Sequence, residues 1–183
     1  MPSQPGVPPL ADVARITHPD QLTADLVASA TSMLDRLVAD DAALGWVAPP
    51  SRTEVQELLQ SLVAAGHRDA CLVVGFDDQA VTGLGYWLRY ARPTHRPHAD
   101  LEKLAVSPDH QRRGVGRALL AALVQQARAE NVEMLTLDFR GDNVGAESLY
   151  LSMGFVEYGR LRDFVAPDSE RRMDKVMHVL DLR

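Results

Sequence analysis

The sequence predicts an α/β protein built around one mixed sheet. Two observations predict it. Apolar residues alternate in some stretches and recur at three- and four-residue steps in others, and the two patterns follow each other in the order β-α-α-β-β-β-α-β-α-β-β. No linker-like stretch divides them, and 183 residues suffice for one domain with a full core. Hydrophobic residues at 46% and charged residues at 24% are an ordinary balance for a globular protein in water.

Residues 1–9 hold four prolines and are expected to be a disordered tail ahead of a single domain at 10–183. They lack the basic and apolar segments of a secretory signal, and no stretch reaches transmembrane length, so the expected compartment is the cytoplasm. Residues 10–17 alternate loosely and read as a first strand. Pro19 then opens a helical pattern in which Leu22, Leu26, Ala30, Met33 and Leu37 share a face, ended by Asp40 and Asp41. Residues 42–50 form an apolar loop whose Trp46 either plugs the core beneath it or walls a binding pocket. Ser51 and Glu54 make a capping box. The helix it starts has the face Val55, Leu58, Leu59, Leu62 and Val63, and Gly66 closes it.

Residues 70–76 and 81–90 read as strands joined by a turn at Asp77, Asp78 and Gln79. The single cysteine, Cys71, excludes an internal disulfide and reads as an inert core thiol. In the basic connection 92–98, His95 and His98 lack a third ligand at metal spacing, so no metal site is expected and the segment reads as a solvated loop. Residues 99–106 form the next strand. Val115, Ala118, Leu119, Ala122 and Leu123 give the following helix its apolar face. A strand at 132–139, a helix at 145–152 and an antiparallel pair at 154–164 and 171–182 complete the order, the pair joined by a polar loop at 166–170.

The chemistry concentrates where the strand 99–106 turns into a helix. Gly114 and Gly116 let backbone N–H groups approach an oxyanion, the helix start favours negative charge, and Arg112, Arg113 and Arg117 add charge-assisted contacts. Two phosphate loops are excluded. A P-loop needs Lys-Ser/Thr after its second glycine, where Arg117 and Ala118 stand, and a dinucleotide fingerprint needs a glycine or alanine where Leu119 stands. A net charge of −6 and a pI of about 5.4 argue against a nucleic-acid partner.

What fits is Gln-x-x-Gly-x-Gly from Gln111 to Gly116. Behind the next strand come Asn143-x-x-Ala146-x-x-x-Tyr150 and then Gly154-Phe155. Together these resemble the GNAT superfamily of N-acetyltransferases over residues 101–155, with the element order matching over nearly the whole chain. The resemblance implies a mixed, mostly antiparallel central sheet flanked by helices, with a splayed pair of parallel strands. It implies acetyl-CoA as co-substrate. The pyrophosphate would lie on the turn of Gln111, Arg112, Arg113, Gly114, Val115, Gly116, Arg117 and Ala118. The pantetheine arm would follow the backbone of Leu104, Ala105 and Val106, with Asn143 and Ala146 beside it. Val106 N–H would be the oxyanion donor. Tyr150 would be the general acid, against the simpler reading of a helix tyrosine covering the sheet. Asn143 would bond the pantetheine arm, cap its helix, or both.

An amine of pKa near ~10 is mostly ammonium at neutral pH and must lose a proton before it attacks a thioester. Glu102, if its strand is regular, shares a face with Leu104 and Val106, and apolar neighbours raise a carboxyl pKa toward that of a base. Asp138, at a strand end, is the second candidate. Residues 43–46, Leu101 to Leu104, Leu137-Asp138 and the terminal hairpin resemble, more loosely, the tabtoxin-resistance type of acetyltransferase. That likeness implies a glutamate and an aspartate serving the acceptor amine, at Glu102 and Asp138. The expected activity is N-acetylation of a small, amino-acid-like or antibiotic-like amine by direct attack in a ternary complex, with no nucleic-acid or membrane partner. The resemblance also implies a homodimer paired through sheet edges or C-terminal strands. The rivals are a protein N-terminus or lysine as acceptor, a longer acyl group, and a non-catalytic acyl-CoA-binding module.

Overall fold

The computed structural model describes residues 12–183; the tail expected at 1–9 lies outside them. In chain order the elements are β1 (Asp12–Ile16), α1 (Ala24–Ala39), α2 (Arg52–Ala65), β2 (Ala70–Asp77), β3 (Ala80–Arg89), β4 (His98–Val106), α3 (Val115–Ala129), β5 (Met134–Arg140), α4 (Val144–Ser152), β6 (Val156–Val165) and β7 (Met173–Asp181). The strands form one seven-stranded sheet in the order β1-β2-β3-β4-β5-β7-β6. Every pairing is antiparallel except β4 with β5. The mixed, mostly antiparallel sheet with one parallel pair is thus the fold the chain adopts, and β7 inserts itself between β5 and its hairpin partner β6.

The sheet buries a different core on each face. On one face α1 and α2 set Leu26, Leu34, Val55 and Leu59 against Leu72, Val74, Leu84 and Ala105. On the other, α3 and α4 set Leu119, Leu120, Leu123 and Tyr150 against Trp87, Leu101, Leu135, Leu137 and Val176. Each fully buried leucine contributes roughly 2 kcal/mol by area, before the entropy of ordering it. Trp87 is fully buried, and its indole N–H donates to Leu123 O at 3.1 Å, tying β3 to α3. Gly83 and Gly85 of β3 allow that closeness. A Cβ on Gly83 would lie 2.8 Å from both Ala105 O and a Leu119 methyl, so a side chain there would lift α3 off the sheet.

The helical pattern expected from Pro19 resolves differently. Pro19–Gln21 is a single 3₁₀ turn capped by His18, and α1 begins only after Thr23, whose hydroxyl accepts the Leu26 N–H at 3.2 Å. The Ser51–Glu54 capping box forms as read, and Gly66 ends α2 at φ 79°. Cys71 is buried, and burial pushes its thiol up to about 12, which leaves it unreactive. Among the described residues no helix is long and apolar enough to cross a membrane.

Candidate active site

The site begins with a break in sheet pairing. Parallel β4 and β5 pair only from His98 with Met134 to Leu101 with Leu137. Beyond that point β4 runs on to Val106 and β5 to Arg140 without contact in register, so the strands splay. On its other edge β4 stays paired with β3, and Ser107 N–H donates to Thr82 O at 2.8 Å. Strand residues direct their peptide groups to alternate edges. Leu104 and Val106 therefore turn theirs into the gap, where Gln111 Nε2 donates to Val106 O at 3.3 Å. Ala105 turns its peptide toward β3 and its side chain into the α1/α2 core, and Leu104, Ala105 and Val106 all border the gap.

On the α3/α4 side the gap opens into a groove of about 400 Å³. Gly114 sits at φ 89° as the N-cap of α3, and no side chain caps that helix start. The first-turn N–H groups are thus left for an external acceptor. Arg112, at φ 59°, pays the roughly 1–2 kcal/mol of a left-handed non-glycine residue to shape the turn. A Cβ on Gly116 would lie 3.3 Å from Leu149 and 3.5 Å from Val106, so glycine keeps the groove floor open. Gln111, Arg112, Gly114, Gly116 and Arg117 line the groove; Arg113, Val115 and Ala118 do not. Arg117 is also tethered, donating to Ser152 Oγ at 2.8 Å. Across the groove Asn143 caps α4 by accepting the Ala146 N–H at 3.1 Å, and both residues face the cavity. Tyr150 is 6% exposed, with its ring 5.5 Å from that of Phe139 and 5.8 Å from that of Phe155. Burial, then the charge of Asp138, raises its phenol well above the ordinary value.

Glu102 does not share a face with Leu104 and Val106. β4 carries a bulge: Tyr86 pairs with Lys103 and Trp87 with Leu101, which leaves Glu102 as the extra residue. Leu101 and Leu104 both face the α3 core, so the two side chains between them turn the other way. Glu102 and Lys103 line a second chamber of about 440 Å³ with Asp138, Trp46 and residues 166–167. A narrower passage of about 140 Å³ runs through the splay, and its walls include Glu102, Asp138, Val106, Asn143 and Tyr150.

Desolvation, then the neighbouring Asp100 carboxylate, raises the Glu102 pKa. Desolvation lowers that of Lys103, whose Nζ lies 4.5 Å from the Trp46 ring centre. Trp46 packs against the α1/α2 core and also lines this chamber. Asp138 pairs with Lys175 of β7 at 2.9 Å. Sequence reading missed Asp100, Thr136 and Tyr90, which form a hydrogen-bonded group on the same face, with Tyr90 Oη 2.6 Å from Thr136 Oγ1. The signal was there: Asp100-x-Glu102 and Thr136-x-Asp138 place polar side chains at two-residue spacing on adjacent strands. His95 meets Tyr90 edge-on at 5.9 Å and takes no part in the site.

Residues 35–155 match the model of the acetyltransferase (GNAT) family, and the chain belongs to that family. It is similar to the ribosomal protein bS18-alanine N-acetyltransferase of Escherichia coli K12, with 38% identity over 84 residues, 46% of this chain and 56% of that protein. The chain thus spans about half the length of the curated relatives it matches. In fold it is similar to the ribosomal-protein-alanine N-acetyltransferase of Brucella melitensis, with a TM-score of 0.80 at 20% identity, covering 93% of this chain and 99% of the other. The phosphinothricin acetyltransferase of Sinorhizobium meliloti, solved in complex with acetyl-CoA, gives 0.79 at 21% identity over 94% and 88% of the two chains.

Proposed function

We propose that this chain is an acetyl-CoA-dependent N-acetyltransferase acting on the primary amine of a small, amino-acid-like molecule. The observation that carries the reading is the splay beyond Leu101. It joins an anion-binding groove to a polar chamber and places Tyr150 in the walls of both groove and passage. Bound in the groove, acetyl-CoA supplies an acetyl thioester. Gly114, Gly116 and the start of α3 hold its pyrophosphate, with Arg112 and Arg117 beside them. Val106 N–H donates to the developing oxyanion. Glu102 accepts a proton from the ammonium, directly or through water, and the upward shift that desolvation gives its pKa favours that role. Asp138 and Glu102 hold the cationic end of the acceptor, and Lys103 and Lys175 offer partners to a carboxylate. Tyr150 donates to the departing sulfur. A phenol is already less acidic than a thiol and burial widens the difference, so Tyr150 acts first as a hydrogen-bond donor and only second as a proton source.

The chamber's volume lies within the range of small-molecule sites. Asp41, just after α1, accepts hydrogen bonds from Arg140 and from Arg171 in the β6–β7 loop, which draws the two loops together at the chamber. That enclosure favours a small acceptor. A protein N-terminus is the second reading, favoured by the name of the bS18-alanine relative. The test is free-thiol release from acetyl-CoA over a panel of small amines and a set of peptides. Turnover on amines alone is the expected result. Turnover on peptides alone would replace the acceptor class. Saturable CoA binding with no turnover on either would favour an acyl-CoA-binding module instead.

A further inference from the structure

Away from the groove, His178 of β7 is fully buried, and neither ring nitrogen has a hydrogen-bond partner among the described residues. Leaving both buried and unsatisfied is costly unless something else meets them. One His178 nitrogen and one carboxylate oxygen each from Glu147 of α4 and Glu157 of β6 lie within 4.8 Å of one another. Glu157 is the direct cross-strand partner of His178, and the Phe139 ring stands edge-on to the imidazole at 5.0 Å, fixing its orientation.

We infer that Glu147, Glu157 and His178 form a structural site for one divalent transition-metal ion of the zinc class, fastening α4 to β6 and β7. An imidazole nitrogen with two carboxylate oxygens is a zinc ligand set, and a water completes the fourth position. Magnesium and calcium prefer oxygen ligands alone and are disfavoured by the imidazole. Bonds of about 2.0–2.2 Å require the three ligand atoms to draw closer than they now stand. Glu147 is half-buried and Glu157 exposed, so both have the rotamer freedom to do so.

One cation already faces the site. The Arg160 guanidinium lies 2.9 Å from Glu157 and 4.0 Å from Glu147, and it also reaches Asp174 at 3.4 Å. It satisfies the carboxylates when no ion is bound and can retire to Asp174 when one is. No ligand spacing marks this site in sequence because its members come from three separate elements.

The test is calorimetric titration of the EDTA-treated full chain with zinc chloride, with thermal unfolding in zinc and in magnesium. Wild type should bind one zinc ion per chain and show a raised Tm in zinc but not in magnesium. Glu157→Gln, at an exposed position that leaves the fold intact, should weaken zinc binding by at least about tenfold. Arg160→Gln should tighten it, which a mere loss of stability would not do. Absence of saturable binding, unchanged affinity in Glu157→Gln, unchanged or weaker affinity in Arg160→Gln, or an equal Tm rise in magnesium would each overturn the assignment.

Discussion

Arg171 Nη1 reaches Asp41 Oδ2 at 2.7 Å across 130 residues of sequence, and the contact fastens the β6–β7 loop to the segment after α1. Arg140, at the end of β5, meets the same carboxylate, so one aspartate gathers three parts of the chamber rim. The two cations hold the Asp41 carboxyl below its ordinary range, with Asp41 and Arg171 open to solvent and Arg140 mostly covered. The solvated Asp41–Arg171 pair contributes little to global stability, so its consequence lies in positioning. Asp41→Ala should raise KM for the acceptor severalfold while KM for acetyl-CoA stays unchanged. Steady-state kinetics with each substrate varied in turn separates the two, and equal effects on both would assign Asp41 a general structural role.

Gly114→Val tests the anion turn. A β-branched residue at φ 89° is a steric outlier, yet the space around a Cβ there is open. The backbone of the turn must therefore shift while packing beneath it stays intact. CoA affinity, read by calorimetry, should fall by roughly five- to thirtyfold, the equivalent of the 1–2 kcal/mol that left-handed backbone costs a side chain. Far-UV circular dichroism should be unchanged. Wild-type affinity in this variant would remove the turn from the binding site.

Much of this site was legible in the sequence for a physical reason. The anion turn and the Asn143-to-Tyr150 helix are local devices, a glycine in left-handed backbone and a cap-plus-spacing pattern, and local devices leave local marks. Glu102 shows the opposite case. Its facing depends on how β4 registers against Tyr86 and Trp87 of β3, and a one-residue bulge reverses the outcome that simple alternation gives. The Asp41 cluster and the hold of Ser152 on Arg117 were invisible because nothing in a one-dimensional pattern links residues so far apart. The late start of α1 was an error of propensity over capping, since Thr23 rather than Pro19 offers the hydroxyl the helix needs.

Tyr150→Phe removes one hydroxyl and keeps the ring that packs against Phe139 and Phe155. Tm should change little, because the hydroxyl has no protein partner among the described residues. With Tyr150 as the proposed donor to the departing sulfur, kcat should fall by roughly 10²-fold with KM for acetyl-CoA nearly constant. A thioester with a more acidic thiol leaving group should narrow the gap between variant and wild type. An undiminished kcat would show that the sulfur leaves without help from this residue.

Glu102→Gln carries a pH signature with a definite sign. Desolvation and the charge of Asp100 raise the Glu102 pKa, so the acid limb of kcat/KM should lie above the ordinary glutamate range, with activity rising as the carboxyl ionises. Glutamine should lower kcat/KM at neutral pH and abolish that limb, leaving whatever ionisation belongs to the amine itself. The same shift fixes the sign for stability. A carboxyl that binds its proton more tightly folded than unfolded makes the fold less stable as pH rises through the unfolded pKa. Removing the charge should therefore leave Tm at pH 7 unchanged or raised, even as activity falls. An acid limb that persists in the glutamine variant would move the base to Asp138, whose Lys175 partner then becomes the group to replace.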